Sequence, residues 1–212
     1  MRVKIDLRYW TNKYEENYAR DVEDKYPIFI DENGVEHEER SPNFETMSKV
    51  LQKRGYLMKK EFVSIGRWKA ERQKGRHVKN SDKRVESLTK KAFEAPDRDK
   101  VKILDDLEGV GIPVASAILT VVYPKEYCII DYRTWRALLW LRTLTKKKNF
   151  AFASYKEYSD FLDSYDAYAR TSTRYYNFRD TLKAIGEKRH MTPRQVEMAL
   201  WKFDQMKGEK TE

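Results

Sequence analysis

The residues best suited to chemistry lie in one short central region of the chain. There the turn 108–111 reads Glu-Gly-Val-Gly, and a single carboxylate, Asp131, follows further along. Glycine lets successive backbone N–H groups point outward into a small anion-binding hollow, so Gly109, Val110 and Gly111 are predicted to bind a phosphate. One acid held at a fixed distance from a phosphate-binding turn suits chemistry on a single nucleotide.

Two short helices are predicted to flank this turn. Small residues at 115–117 (Ala-Ser-Ala) would let them approach closely, and a further helix is expected to begin just after Asp131. A helical hairpin could use the same pattern for packing alone, and Asp131 could serve only as a helix N-cap. The apolar residues expected to lock the hairpin are Leu104, Leu107, Val110, Ala115, Ile118 and Leu119.

The whole run Leu-x-Gly-Val-Gly-x-x-x-Ala, followed by Ile-Asp and a helix, resembles the helix-hairpin-helix (HhH-GPD) DNA glycosylases of the endonuclease III-like superfamily. In that family the hairpin reads Leu-Pro-Gly-Val-Gly, and the catalytic aspartate stands in a Val-Asp-Thr-His context. This chain has Leu-Glu-Gly-Val-Gly at 107–111, then Ala115, then Ile-Asp-Tyr-Arg at 130–133, with matching spacing. Elsewhere the agreement is in length, helical pattern and basic surface only.

The resemblance implies a monofunctional glycosylase that flips a damaged, mismatched or modified base out of duplex DNA and excises it, as in base excision repair. Asp131 would stabilise the positive charge that develops on the sugar and orient the attacking water. Bifunctional relatives carry a lysine where this chain has Pro113. Proline cannot form the Schiff base needed for strand cleavage, so no lyase activity is expected. A non-catalytic helix-hairpin-helix DNA-binding protein is the alternative.

Residues suited to metal or redox chemistry are few. Cys128 is the one cysteine, which excludes an internal disulfide and the four-cysteine iron–sulfur cluster of many relatives. His37, His77 and His190 lie far apart without paired ligand spacing, so we expect no metal held by side chains. The resemblance implies at most a structural Na⁺ or K⁺ on the backbone carbonyls of the hairpin.

Basic residues are concentrated in one segment. Positions 49–91 hold 15 Lys/Arg and 4 Asp/Glu, a net charge of +11, whereas the whole chain carries +9. This clustering favours a polyphosphate partner, here double-stranded DNA, because lysine and arginine release its counterions. A solvated helix face is the alternative, and the acidic segment 15–45 leaves a protein-interaction module open. The predicted phosphate contacts are Arg67, Lys69, Arg72, Lys74 and Arg76.

A flipped base needs a pocket with aromatic or apolar walls. Tyr132 and Trp135 stand beside the predicted acid, and Trp68 lies where the family inserts into the duplex, judged by position alone. Packing in the core is the alternative for each ring, because large aromatic side chains are well buried on average. The sequence does not indicate which base is removed.

The apolar pattern predicts an all-α fold, with two helical lobes around the helix-hairpin-helix and one minor β-hairpin near 28–38. Residues 45–142 would form the central lobe, and 1–44 together with 143–212 the second. Helices are expected through much of 1–26 and over 41–55, 59–66, 81–93, 132–141, 155–165, 172–187 and 193–206, with exposed basic chain at 67–80 and a connection at 146–149.

Composition bounds the class of protein. Tryptophan and tyrosine number 5 and 14, while glycine and proline number only 8 and 6, which favours a compact folded chain over a disordered one. No apolar run reaches membrane-spanning length, and the first residues lack the core of a signal peptide. We therefore expect a soluble, intracellular protein. The resemblance implies in addition that it is cytoplasmic, nucleoid-associated and acts as a monomer.

Overall fold

The structure is a computed structural model that describes residues 5–23, 25–145 and 171–209. Over these residues the protein is mostly helical, with one two-stranded antiparallel sheet. The predicted all-α fold with a minor β-hairpin is confirmed. The helix predicted at 155–165 and the connection predicted at 146–149 lie outside the described residues.

Helix α6 and helix α7 are the two halves of the predicted helical hairpin. In chain order the helices are α1 (Leu7–Asp21), α2 (Glu45–Arg54), α3 (Lys59–Ala70), α4 (Lys74–His77), α5 (Asp82–Glu94), α6 (Lys100–Asp105), α7 (Ile112–Val122), α8 (Tyr132–Thr145), α9 (Ser172–Glu187) and α10 (Pro193–Glu209); the strands are β1 (Ile28–Ile30) and β2 (Glu36–Glu38); and 3₁₀ turns cover Glu71–Gln73 and Asp97–Asp99.

Several helix ends follow local signals in the sequence. Gly55 closes α2 in the left-handed conformation, and Ser81 Oγ accepts a hydrogen bond from Arg84 N at 3.3 Å where α5 begins. Before α10, Thr192 Oγ1 accepts from Gln195 N at 3.1 Å, while Gln195 Oε1 accepts from Thr192 N at 2.9 Å. This reciprocal pair is a capping box, and the run Thr-Pro-Arg-Gln at 192–195 has the residue types at the spacing that such a box requires.

The small sheet is a hairpin that lies against α2 and α3. Strands β1 and β2 pair antiparallel, with Phe29 opposite His37. Gly34 in the connecting loop has a φ of 79°, and Asp31 N donates to Val35 O at 2.9 Å, so residues 32–34 form a three-residue loop with glycine in the left-handed position rather than a two-residue Asn-Gly turn. The Ile30 amide donates to Glu61 Oε1 of α3 at 2.8 Å, which fixes the hairpin to that helix.

The segment 67–80 differs from the exposed loop predicted for it. Helix α3 continues beyond Gly66, a 3₁₀ turn and α4 follow, and both His77 and Asn80 are buried. The His77 ring lies edge-on to Phe62, with centroids 5.7 Å apart. A Cβ at Gly66 would come within 2.5 Å of the imidazole, so this glycine makes room for His77 instead of ending the helix.

Helix α7 lies at the centre of the core. Every residue from 114 to 122 is buried, and the helix contacts α2, α3, α6 and α9. Helix α1 packs along α10, which also contacts α8 and α9. Buried Asp204 of α10 accepts two hydrogen bonds from Arg136 of α8, at 2.6 and 2.5 Å. The turn before α7 and the start of α8 are therefore held by well-packed helices.

The predicted division into a lobe of 45–142 and a lobe of 1–44 with 143–212 stays a prediction. Within the described ranges, no helix combines the length and the apolar character needed to cross a membrane.

Candidate active site

The predicted phosphate-binding turn joins α6 to α7. Gly109 has a φ of +81°, a left-handed conformation that favours glycine, and Val110 N donates to Leu107 O at 3.0 Å. Gly111 is extended, with a φ of −103° and a ψ of −178°, and is the N-cap of α7. Pro113 lies in the first turn of α7, where its missing N–H removes no helical hydrogen bond.

Around the turn and the first residue of α7, three backbone amides find no acceptor among the described residues. Within the described part of the chain, the N–H groups of Gly109, Gly111 and Ile112 donate no hydrogen bond. Helix α7 begins where the amides of Val114 and Ala115 donate to Gly111 O, at 3.0 and 2.9 Å. Unpaired donors and the positive end of the helix dipole favour an anion at this position.

Asn80 and His77 hold the turn from the protein side. Asn80 Oδ1 accepts from Glu108 N at 2.9 Å, and Asn80 Nδ2 donates to Glu108 O and to His77 O, each at 3.0 Å. His77 Nε2 lies 3.1 Å from Gly109 O, and it must carry the proton because a carbonyl only accepts. A Cβ on Gly109 would come within 2.8 Å of the imidazole. The ring and the turn therefore require glycine here.

A second proton on His77 is disfavoured. Its Nδ1 is buried and has no hydrogen-bond partner among the described residues. Burial lowers the pKa of the imidazole below its ordinary value, and the positive charge of the neighbouring Arg76 lowers it further. Protonation would place a charge between Gly66 and Gly109 with no acceptor for the new N–H. The neutral tautomer that donates to the turn is the one that fits the folded protein.

A concavity of about 540 Å³ adjoins the turn. It is lined by residues of the turn and by Arg72, Gln73 and Arg76, which follow α3. Two of the five predicted phosphate contacts thus share this concavity with the unpaired amides. Its charge is mixed, so an anion is favoured on the side of the arginines and the amides. The carboxylates that also line it belong to Asp105, Asp106 and Glu108.

Asp131 stands at the start of α8 with both carboxylate oxygens engaged. Oδ1 accepts from the Thr134 amide at 3.0 Å, the hydrogen bond of an N-cap, and Oδ2 accepts from Lys69 Nζ at 3.2 Å. The side chain is 22% exposed and follows a buried run, 127–130. It does not line the concavity beside the turn. Asp131 therefore caps α8 and also keeps one oxygen for a partner outside that helix.

Lys69 is not the exposed phosphate contact that the sequence predicted. Its side chain is only 14% exposed and ends at Asp131, 62 residues away, whereas an exposed phosphate contact was expected. A partly buried ion pair of this kind holds both groups in place, because removing either partner leaves an uncompensated charge. The short segment 69–76 therefore contacts both places. Lys69 pairs with the Asp131 carboxylate, and Arg72 and Arg76 line the concavity.

A buried ion pair supports the chain that leads to Asp131. Arg194 and Glu197 of α10 pair with each other, and Glu197 accepts from Ile129 N at 3.4 Å. Arg194 also donates to Pro42 O at 3.1 Å. Burial raises the pKa of the Glu197 carboxyl, although Arg194 opposes the shift. These contacts tie α10 both to the N-terminal part of the chain and to the residues just before the acid.

The remaining predicted phosphate contacts, Arg67 and Lys74, are exposed. Both pair with Glu71, at 3.3 and 3.1 Å. They do not line the concavity beside the turn. Surface ion pairs such as these contribute little to stability, so either side chain is free to exchange Glu71 for a phosphate.

The three aromatic residues predicted for a base pocket do not converge on one hollow. Trp68 lines a different concavity, of about 610 Å³. The Tyr132 ring lies under the guanidinium of Arg136, with 4.8 Å between its centroid and Cζ. Trp135 is half-buried and packs against Phe178 of α9 with ring centroids 6.2 Å apart. Tyr132 and Trp135 are close to Asp131 in sequence, whereas Trp68 lies on the concavity of about 610 Å³.

Among the described residues, no group of three or more His, Cys, Asp and Glu side chains is placed to hold a metal ion. Burial raises the pKa of the Cys128 thiol well above its ordinary value, which fits a core residue. The carbonyls of 107–109 already accept hydrogen bonds from Val110, Asn80 and His77. Each carbonyl oxygen keeps a second lone pair, so a Na⁺ or K⁺ at the hairpin backbone stays a prediction.

A scan of protein-family profiles finds no match to the chain, and no curated protein or solved structure is significantly similar to it. The function must therefore be argued from the turn, the concavity and the Lys69–Asp131 pair.

Proposed function

We propose that the protein is a DNA N-glycosylase of the helix-hairpin-helix type. It would flip a damaged, mismatched or modified base out of double-stranded DNA and hydrolyse the bond between base and sugar, leaving an abasic site as in base excision repair. It would act as a monomer on nucleoid DNA in the cytoplasm, with no membrane and no cofactor. Pro113 supplies no amine, so the reaction attributed to Asp131 alone is base release without strand cleavage.

The observation that carries this proposal is the segment 69–76, which connects the two parts of the site. At one end Lys69 holds Asp131, and towards the other end Arg72 and Arg76 line the concavity beside Gly109. A DNA backbone bound by the turn and the arginines would run past the carboxylate. Phosphate contacts would fix the position of the duplex without reading its sequence.

Asp131 would act on the sugar of the flipped nucleotide. Breaking an N-glycosidic bond develops positive charge on the sugar, and a carboxylate held beside C1′ stabilises that charge. Oδ1 is fixed by the Thr134 amide, so the carboxylate is oriented before substrate arrives. Oδ2, which accepts a hydrogen bond from Lys69, would be the oxygen that faces substrate or takes a proton from water.

A second candidate is a non-catalytic helix-hairpin-helix DNA-binding protein. It is favoured by the full engagement of Asp131, which is an N-cap and an ion-pair partner and does not line the concavity beside the turn. In that case Asp131 and Lys69 would serve only to join α8 to α3. Both candidates predict DNA binding that weakens steeply with salt.

Base release on a panel of duplexes, each with one lesion, mismatch or modified base, separates the two candidates. Wild type is compared with Asp131→Asn, with and without alkali to break abasic sites. Asparagine caps a helix as well as aspartate does, so the variant should stay folded. Release of one base, lost in the variant, supports the glycosylase. Tight, salt-sensitive binding without release across the panel supports the binding protein, and salt-insensitive binding or none refutes both.

A further inference from the structure

A second concavity lies beside the turn, between α5 and α6. The two helices run antiparallel. Near the start of α5, Arg84 Nη2 donates to Asp106 O at 2.6 Å, and at the other end Lys100 Nζ of α6 donates to Ala92 O at 3.1 Å. Between these bonds the surface forms a concavity of about 740 Å³. Asp106 lines both this concavity and the one beside the turn, so the two adjoin.

Three lysines line the concavity between α5 and α6 without an ionic partner. They are Lys90 and Lys91 of α5 and Lys102 of α6, and all three are exposed. Among the described residues, none of them forms an ion pair or a side-chain hydrogen bond. Arg72 and Arg76 of the adjoining concavity also form no ion pair there. These cations therefore keep their N–H donors for a group outside the protein.

We propose that the DNA strand held by the turn continues along the concavity between α5 and α6, where Lys90, Lys91 and Lys102 bind its next phosphates. The inference rests on the proposed function, because it takes DNA binding at the turn as given and extends the interface beyond it. From Arg84 to Lys91 the helix rises about 10 Å, which along the axis of duplex DNA spans roughly three phosphates of one strand. The partner is the DNA backbone, bound without reading its sequence.

Carboxylates in the same concavity give the proposal a second test of opposite sign. Glu94, Asp99 and Asp106 also line it, and within the described part of the chain none of their carboxylates forms an ion pair. Unpaired acids beside a phosphate path repel it, whereas unpaired lysines attract it. Neutralising a lysine should therefore weaken DNA binding, and neutralising an acid should tighten it. A surface outside the interface predicts neither effect.

The test is fluorescence anisotropy of a labelled duplex, titrated at several salt concentrations. Lys90→Gln and Lys102→Gln should each lower the slope of log affinity against log salt by about 0.9, and the double variant by about 1.8, because each lysine accounts for one phosphate contact. At 0.1 M salt, each single variant should bind roughly eightfold more weakly. Glu94→Gln should bind several-fold more tightly. Lysine, glutamate and glutamine have similar helix propensities, so thermal melts should show all variants folded.

Lys53→Gln and Glu32→Gln are the matched controls, because they make the same changes of charge at an exposed ion pair far from the turn. Gln52, next to Lys53, donates to Val122 O at the other end of α7, roughly 16 Å along that helix. Both controls should bind DNA as wild type does. The proposal is overturned if the double lysine variant keeps the wild-type slope, or if Lys53→Gln weakens binding as much as Lys90→Gln, since net charge alone would then explain the loss.

Failure of this inference and failure of the proposed function give different results. Base release that depends on Asp131, with DNA binding unchanged in the double lysine variant, supports the glycosylase and overturns the path along α5 and α6. DNA binding that depends on Lys90 and Lys102, with no base released from any duplex of the panel, supports the path and overturns the glycosylase. A wild-type protein that binds no duplex refutes both.

Discussion

Alanine substitutions at the two hairpin glycines should separate folding from DNA binding. At Gly109 a side chain is strained, because φ is +81°, and it is crowded, because a Cβ would lie 2.8 Å from His77 Cδ2 and 2.9 Å from Arg76 Cβ. The left-handed conformation costs roughly 1–2 kcal/mol and overpacking about 1–3 kcal/mol. Gly109→Ala should therefore lose about 2–5 kcal/mol of stability, or roughly 4–20 °C in Tm.

Gly111→Ala should behave in the opposite way. The backbone there is extended, and the nearest atom to a new Cβ, Pro113 Cδ, lies at an ordinary 3.9 Å. Stability should stay the same or rise by about 0.4–1 kcal/mol, because alanine restricts the unfolded chain. A methyl group would nevertheless stand among the unpaired amides. Each hydrogen bond lost to a charged phosphate is worth about 1.5–3 kcal/mol, so DNA affinity should fall roughly ten- to a hundredfold.

Thermal melts and fluorescence anisotropy of a labelled duplex at fixed salt measure the two effects. Gly55→Ala is the matched control for Gly109→Ala, because Gly55 has the same φ of +81° and nothing within 4 Å of a new Cβ. The difference between these two variants isolates the contact with His77. The reasoning is refuted if folded Gly111→Ala binds DNA as tightly as wild type, or if it melts as early as Gly109→Ala.

Three further predictions concern the acid, the histidine and the arginines. Asp131→Asn should release base about a hundredfold to ten-thousandfold more slowly; it keeps the N-cap but leaves Lys69 without its ion-pair partner, so Tm should fall as well, and a variant that is unfolded at the assay temperature would make the loss structural. The folded-state pKa of His77 is lowered, so the unfolded chain binds its proton first, and stability should fall as pH drops below about 6.5. His77→Gln keeps a donor for the turn without titrating, and melts at several pH values should show less acid sensitivity than wild type; an unchanged pH profile would contradict this. Arg72→Ala and Arg76→Ala should each lower the slope of log affinity against log salt by about 1 in titrations at several salt concentrations, and a slope equal to that of wild type would remove the residue from the DNA interface.

Local signals in the sequence predicted the helices well. Helix α9 spans Ser172–Glu187 as expected, and the capping box before α10 forms with both of its hydrogen bonds. Such features depend on contacts between residues only a few positions apart, so a short stretch of sequence is enough to predict them. The helical hairpin around 109–111 and the cap at Asp131 belong to the same class.

Side-chain burial was harder to predict because it depends on which helices meet. The spacing of Tyr9, Tyr14 and Tyr18 within 1–26 predicts one buried helix face, yet Tyr9 is 50% exposed. Thr11 takes a place in that face, because its hydroxyl donates to Leu7 O and Gln195 O, at 2.9 and 3.0 Å. The burial of a polar residue whose hydrogen bond is made to a helix far along the chain cannot be predicted from the hydrophobic pattern.

The pairing of Lys69 with Asp131 could not be predicted for the same reason. Charge clustering placed Lys69 among the phosphate contacts, and nothing in the spacing between the two residues indicates that they meet. The partial signal was Gly66, a glycine inside a helical pattern, which indicates close approach by another group. That group is His77, which joins α3 to the turn at Gly109 and so brings the end of α3 beside the turn.

The glycines around the turn differ in whether the fold requires them. Gly66 and Gly109 both face the His77 ring, and a Cβ on either would displace it. Gly111 has an ordinary backbone conformation, and a new Cβ there would meet only Pro113 Cδ at 3.9 Å, so the described structure does not require glycine at this position. Under the proposed function, glycine at 111 would let a phosphate approach the backbone closely beside the amides and arginines of the concavity, which is why Gly111→Ala tests DNA binding apart from folding.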